Sequence, residues 1–128
     1  MDNNEKSLPD SELKVMKIIW DSTEEKMSTG EIFDKLGDTS WKLSTLQIIL
    51  ARLIEKNFLK SEKIGRFNYY SSLVDGENYQ KTETRNFVKK MFNNSSKKLI
   101  AALLEDDEDL TDEDISEIKK MLNKGGEV

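Results

Sequence analysis

The chain has 128 residues, 36% apolar and 35% charged, with a net charge of −5. That length suits one or two small domains, and no apolar run approaches the roughly 20 residues that span a bilayer. Cysteine and histidine are both absent, which excludes disulfides and thiolate sites and removes the commonest general base, proton switch and metal ligand.

The opening Met1-Asp2-Asn3-Asn4-Glu5-Lys6 is polar where a signal peptide would be basic and then apolar, so a cytoplasmic protein without membrane insertion is expected. A first helix is expected from about Asp10 to Trp20, entered at Pro9, with Leu13, Met16 and Trp20 on one face and Val15 and Ile19 widening it. A second starts at Ser28, which with Glu31 forms a capping box, while Met27 and Ile32 are spaced as a hydrophobic staple; it should end near Leu36-Gly37. The third runs from about Lys42, or from a cap at Ser44, to Lys56, with Leu46, Ile49, Leu50 and Leu53 inward and Asn57 as its left-handed stop.

The period then changes from helix to strand. Phe58–Ile64 and Phe67–Ser71 flank Gly65-Arg66 and read as a β-hairpin whose aromatic residues close over the helical core. Three helices and a hairpin in this order are a winged helix, expected over residues 1–74. Residues 75–128 return to helix: a long polar segment with Tyr79, Phe87, Val88, Met91 and Phe92, an apolar one from Leu99 to Leu104, and a third capped by Thr111 and Asp114, with Leu110 and Ile115 as its staple. About 50 residues are too few to bury a core alone. This segment is therefore expected to be a helical dimerisation domain, with Phe87, Val88, Met91, Leu99, Ile100, Leu103, Leu104, Ile118 and Leu122 at the contact between two copies. The fold class is mainly α with a small β-hairpin.

Enzyme chemistry finds no support. The glycines form no phosphate-binding loop, the hydroxyl residues have no histidine to activate them, and the paired carboxylates Glu24-Glu25 and Asp106-Asp107 lie in expected loops. The acidic run around Asp112-Glu113-Asp114 lacks calcium-loop spacing and suits a helix N-terminus. No catalytic residue, cofactor or metal is expected.

The charge is unevenly spread. Between residues 42 and 70, Lys42, Arg52, Lys56, Lys60, Lys63 and Arg66 face only Glu55 and Glu62. A local basic surface on an acidic chain can still hold phosphates, because screening confines the field to roughly 8–10 Å. The third helix has the form of a recognition helix, which lies in the major groove. Its outer face offers Gln47 for an adenine edge and Ile48 for a thymine methyl. Lys42, Ser44 and Thr45 stand at its start for phosphate oxygens, with Arg52 further along, either on phosphate or paired to Glu55, and Lys63 and Arg66 flank the hairpin turn. Trp20 and Trp41 are read as core. A winged helix serving as a protein-interaction module is the alternative, motivated by the acidic balance.

The stretch from Leu8-Pro9-Asp10 through Met16 to Ile18-Ile19-Trp20 resembles the opening of the BlaI/MecI/CopY repressors, the penicillinase and methicillin-resistance repressors and their copper-responsive relatives. Trp41 to Lys56 resembles that family's recognition helix and Phe67-Asn68-Tyr69-Tyr70 its wing strand, and the likeness runs from about Leu8 to Leu122. It implies a homodimeric repressor on pseudo-palindromic double-stranded operator DNA, contacted by Lys42, Ser44, Thr45, Gln47, Ile48 and Arg52, with Lys63, Arg66 and Tyr70 supporting from the wing. In β-lactam-responsive members a membrane sensor protease pathway leads to cleavage in the dimerisation region. Their Asn-Phe cleavage dipeptide is replaced here by Leu103-Leu104 or Ala102-Leu103, and their basic residue and threonine by Gln47 and Ile48. The copper-responsive members need cysteines that this chain lacks.

Overall fold

The computed structural model describes residues 7–37, 40–105 and 109–125. The readings made on residues 1–6 and 106–107 lie outside these residues. The chain order is α1 (Asp10–Asp21), β1 (Met27–Ser28), α2 (Thr29–Leu36), α3 (Leu43–Glu55), β2 (Leu59–Ile64), β3 (Phe67–Ser72), α4 (Gly76–Phe92), α5 (Ser96–Glu105) and α6 (Asp112–Gly125). Two compact units divide between Thr84 and Arg85, inside α4.

In the first unit, local chemistry sets each boundary. Pro9 caps α1, whose Val15, Met16 and Ile19 turn inward at helical spacing. The Ser28 hydroxyl accepts the Glu31 N–H at 3.2 Å, and the Ser28 N–H donates to the Glu31 carboxylate at 3.0 Å, a complete capping box for α2. The staple residues Met27 and Ile32 are both buried. At the end of α3, Asn57 takes φ +66°. The N–H groups of Asn57 and Phe58 then return to the carbonyls of Ile54 and Leu53 at 3.0 and 2.9 Å, a Schellman closure with Phe58 and Leu53 buried together.

The sheet is antiparallel in the order β1-β3-β2. Met27 lies opposite Tyr70, and Leu59 opposite Ser72 through to Ile64 opposite Phe67. A two-residue turn joins the long strands; only its first residue, Gly65, has positive φ (+63°), the pattern of a type II′ hairpin. Val15, Met16, Ile32, Leu46, Leu50, Leu53, Phe58 and Leu59 are the fully buried centre between helices and sheet.

The first unit runs past residue 74 because α4 contributes to this core. Tyr79 lies edge-on to Phe58 at 5.7 Å and tilted against Trp20 at 5.4 Å, and its hydroxyl accepts the Leu8 N–H at 2.8 Å. Trp20 packs partly buried against the core, its indole N–H shared between Ser72 Oγ at 3.1 Å and the Val74 carbonyl at 2.9 Å. A Cβ on Gly76 would sit 2.9 Å from the Trp20 ring, so the entry to α4 needs a glycine. Trp41 packs partly buried against the core beneath the Lys14 ammonium, 5.6 Å from its ring.

Burial pushes the Tyr79 phenol above its ordinary value of 10.0. Because the folded value is the raised one, its contribution is complete below about pH 10 and is lost as alkali ionises the unfolded tyrosine. Tyr79→Phe should remove this alkaline component and leave the Leu8 N–H unpaired, at about 1–3 kcal/mol. Urea unfolding at pH 7 and pH 10.5 checks both effects.

The second unit holds the end of α4 with α5 and α6. Asn93 and Asn94, at φ +50° and +70°, break the chain out of α4. Phe87 and Phe92 meet edge to face at 5.9 Å. The Thr111–Asp114 box forms as expected, with N–H to oxygen distances of 3.1 and 3.0 Å. Among the described residues no helix is long and apolar enough to cross a membrane.

Candidate nucleic-acid interface

The outward side of α3 follows from what its inward side must do. Leu46, Ile49, Leu50 and Leu53 are buried, which leaves Ser44, Gln47, Ile48, Ala51 and Arg52 exposed on one stripe, with Thr45 half-buried at its edge. Ile48 is 55% exposed, so it belongs to this stripe and not to the core. α3 starts at Leu43 with Lys42 as N-cap, and neither Lys42 nor Ser44 closes it through a side chain. The Thr45 and Leu46 N–H groups return to the Lys42 carbonyl. The N–H groups ahead of them have no side-chain cap, and Lys42 and Ser44 stand beside them, a start suited to an anion.

Two ion pairs occur among the described residues, Lys26–Glu62 and Lys56–Glu12. Lys42, Arg52, Lys60, Lys63 and Arg66 therefore have no internal ion pair there. The pairing of Arg52 with Glu55 that the sequence left open does not form. Lys56 leaves the outer surface: at the C-cap of α3 its ammonium donates to Glu12 of α1, a carboxylate with only 3% of its side chain exposed.

The hairpin corrects two further expectations. Tyr70 is buried opposite Met27 and closes the core instead of facing DNA. Phe67 was expected over the core, yet it is 60% exposed, and its partner Ile64 is 43% exposed. Strand alternation explains both: Tyr70 follows Phe67 by three positions, an odd offset, so they point to opposite faces. That parity was legible in the sequence once Tyr70 was assigned inward. Sequence reading also missed Lys26, whose ammonium bonds the Glu62 carboxylate at 2.9 Å and holds that acid below its usual range. No local spacing marks a pair 36 residues apart. Lys63 and Arg66 are exposed near the turn, as expected.

In the second unit, the apolar residues expected at a dimer contact divide by burial. Phe87, Met91, Leu103, Leu104 and Leu122 are exposed, Leu99, Ile100 and Ile118 half-buried, while Val88 is already buried within the protomer and is not available to a partner. Met121, not anticipated, is exposed as well.

A three-helix core, a helix with an uncommitted polar stripe, and a cationic hairpin at the end of a three-stranded sheet define a winged helix-turn-helix protein. Within that class, the penicillinase repressor family pattern matches residues 8–124, and the chain belongs to that family. It is similar to the penicillinase repressor of Bacillus licheniformis, 32% identical over 118 residues that cover 91% of this chain and 90% of that protein. It is 28% identical over 125 residues to the methicillin resistance regulatory protein MecI of Staphylococcus aureus, covering 97% of this chain and 99% of that one. The solution structure of the DNA binding domain of the repressor BlaI aligns at 38% identity and a TM-score of 0.49, over 57% of this chain and 88% of that one.

Proposed function

We propose that the protein is a dimeric, sequence-specific DNA-binding transcriptional repressor of the penicillinase-repressor type, acting in the cytoplasm on a pseudo-palindromic operator. It works by binding alone, without catalysis or cofactor, and the names of its relatives point to control of β-lactam-resistance genes. The observation that carries the reading is the exposed stripe Ser44, Gln47, Ile48 and Arg52 on α3, which the fold itself does not use, in a chain of a repressor family.

In this reading Gln47 pairs with an adenine edge and Ile48 meets a thymine methyl in the major groove. Lys42, Ser44 and Thr45 hold phosphate at the start of α3, Arg52 holds it further along, and Lys63 and Arg66 reach the backbone from the wing. The dimer presents its two recognition helices to half-sites about one helical turn apart. With about 8 phosphate contacts per dimer, log K should fall with log salt at a slope near −7.

Fluorescence anisotropy on the protein's own upstream promoter, against a shuffled duplex at ~50 and ~200 mM salt, tests this. A preference of about 10³-fold with that slope is the expected result. No preference at either salt would overturn the reading in favour of a protein-interaction module. Gln47→Ala should relax base preference by about 1–3 kcal/mol, whereas Arg52→Ala should weaken all duplexes alike and flatten the slope by about 1 per protomer. Equal losses on promoter and random DNA for Gln47→Ala would remove it from base reading.

A further inference from the structure

The charges of the second unit are sorted along the chain. From Arg85 to Leu104 every charged side chain is basic, and from Glu105 to Glu117 every one is acidic. α4 and α6 carry their charges as a helix dipole favours, with Lys89 and Lys90 in the last turn of α4 and Asp112 and Glu113 in the first turn of α6. α5 carries them the other way round: Lys97 and Lys98 stand in its first turn and Glu105 ends it. The dipole opposes that order, so local helix chemistry does not account for it. Residues 106–111 alone join α5 to α6, so carboxylates gather at the joined ends, Glu105 on one side and Asp112 and Glu113 on the other. Lys98 lies roughly 10 Å back along α5 from Glu105. The segment therefore has an acidic end and a basic end. Lys97, Lys98, Glu105, Asp112 and Glu113 are all exposed, and none forms an ion pair among the described residues.

A polarised surface is self-complementary under a two-fold axis, because residue i of one copy meets residue j of the other and j meets i. Two copies of α5 placed antiparallel set the acidic end of each against the basic end of the other, twice per dimer. Placed parallel, they would set like charge against like. DNA phosphate is another anion that lysines can meet, but it offers nothing to the acidic end, whereas a second copy answers both ends at once. We infer that Lys97 and Lys98 of each copy dock on the acidic α5–α6 junction of the other, and that these two equivalent contacts fix the antiparallel register of the dimer and select its partner. Exposed ion pairs add little affinity, but opposed like charges are costly, so the contact acts on which chain and which register more than on how tightly. This rests on the dimer reading above and adds to it the device that chooses the partner.

The test is a charge swap in the full chain, read by sedimentation velocity. Lys97→Glu with Lys98→Glu makes both ends acidic, and Glu105→Lys with Glu113→Lys makes both ends basic. Each variant alone should dimerise about 10- to 100-fold more weakly than wild type at ~0.1 M salt. Their equimolar mixture should dimerise within about 3-fold of wild type, because the heterodimer restores both contacts. At ~1 M salt, where exposed charges are screened, the variants should converge on wild type. Either variant dimerising like wild type at ~0.1 M salt would overturn the inference and leave the dimer standing. So would a mixture no better than its parts while each variant still binds half-site DNA as wild type does. Loss of half-site affinity in the lysine variant with its dimer intact would give Lys97 and Lys98 to phosphate and overturn it too. Should a double variant not fold, Lys98→Glu and Glu105→Lys singly run the same test. Wild type that stays monomeric with and without operator would overturn the dimer reading itself.

Discussion

Leu103→Asp is expected to turn the proposed dimer into monomers and to weaken binding to a full operator by 10²- to 10³-fold, while half-site binding stays nearly unchanged. No residue of α5 is buried within the protomer, and Leu103 and Leu104 are 55% and 45% exposed. With Phe87, Met91, Met121 and Leu122 they are six large apolar side chains left exposed in the second unit. Covering each such side chain contributes about 1.5–3 kcal/mol, and a second copy of the same helices supplies a matching surface. A carboxylate at residue 103 would have to be buried unpaired in that contact. The loss on the full operator is larger than any single DNA contact could give, because linkage turns the second half-site into an intramolecular event. Sedimentation velocity and anisotropy on full and half operators read the two effects separately. A Leu103→Asp protein that remains dimeric would move the interface off α5.

The elements of the first unit were legible because their signals are local. The Ser28–Glu31 box, the left-handed Asn57 and the glycine at 65 each fix a boundary within a few residues, and the buried stripe of α3 follows from its period. From that stripe the outward residues follow by exclusion, which is why Gln47, Ile48 and Arg52 lie where the sequence put them. What the sequence did not show depends on distance along the chain. Lys56 looked like another surface cation until Glu12, 44 residues away, claimed it, and Lys26 carried no mark of its pairing with Glu62. Tyr79 read as one apolar residue in a polar helix, yet its ring packs on Phe58 and Trp20, far back along the chain. The inversion of Phe67 and Tyr70 was an error of strand parity, since an aromatic run reads as apolar throughout while a pleated strand can bury only every second residue.

Lys56→Met should be the most damaging polar substitution in the first unit, and its damage should be to folding before binding. Glu12 is buried with only 3% of its side chain exposed, in a helix whose neighbours in the core are Val15, Met16 and Ile19. Breaking a buried pair by removing one partner typically costs about 3–5 kcal/mol, because the remaining charge has nothing to compensate it. Lys56 keeps 39% of its side chain exposed, so water can partly replace it, and about 2–3 kcal/mol is the expected loss. For a unit of this size that lowers Tm by roughly 10–20 °C. The double substitution Glu12→Leu with Lys56→Met should recover most of it, since apolar replacement of a whole buried pair is often neutral or stabilising. A phosphate-binding Lys56 predicts the reverse: little change in Tm, a flatter salt dependence, and a double variant that binds as poorly as the single one. Thermal melts of the three variants beside their salt slopes on operator DNA separate the two. If Lys56 acts through Glu12, binding returns together with stability in the double variant, because what Lys56 supplies to α3 is the orientation of that helix on α1 and not a charge on its outer face.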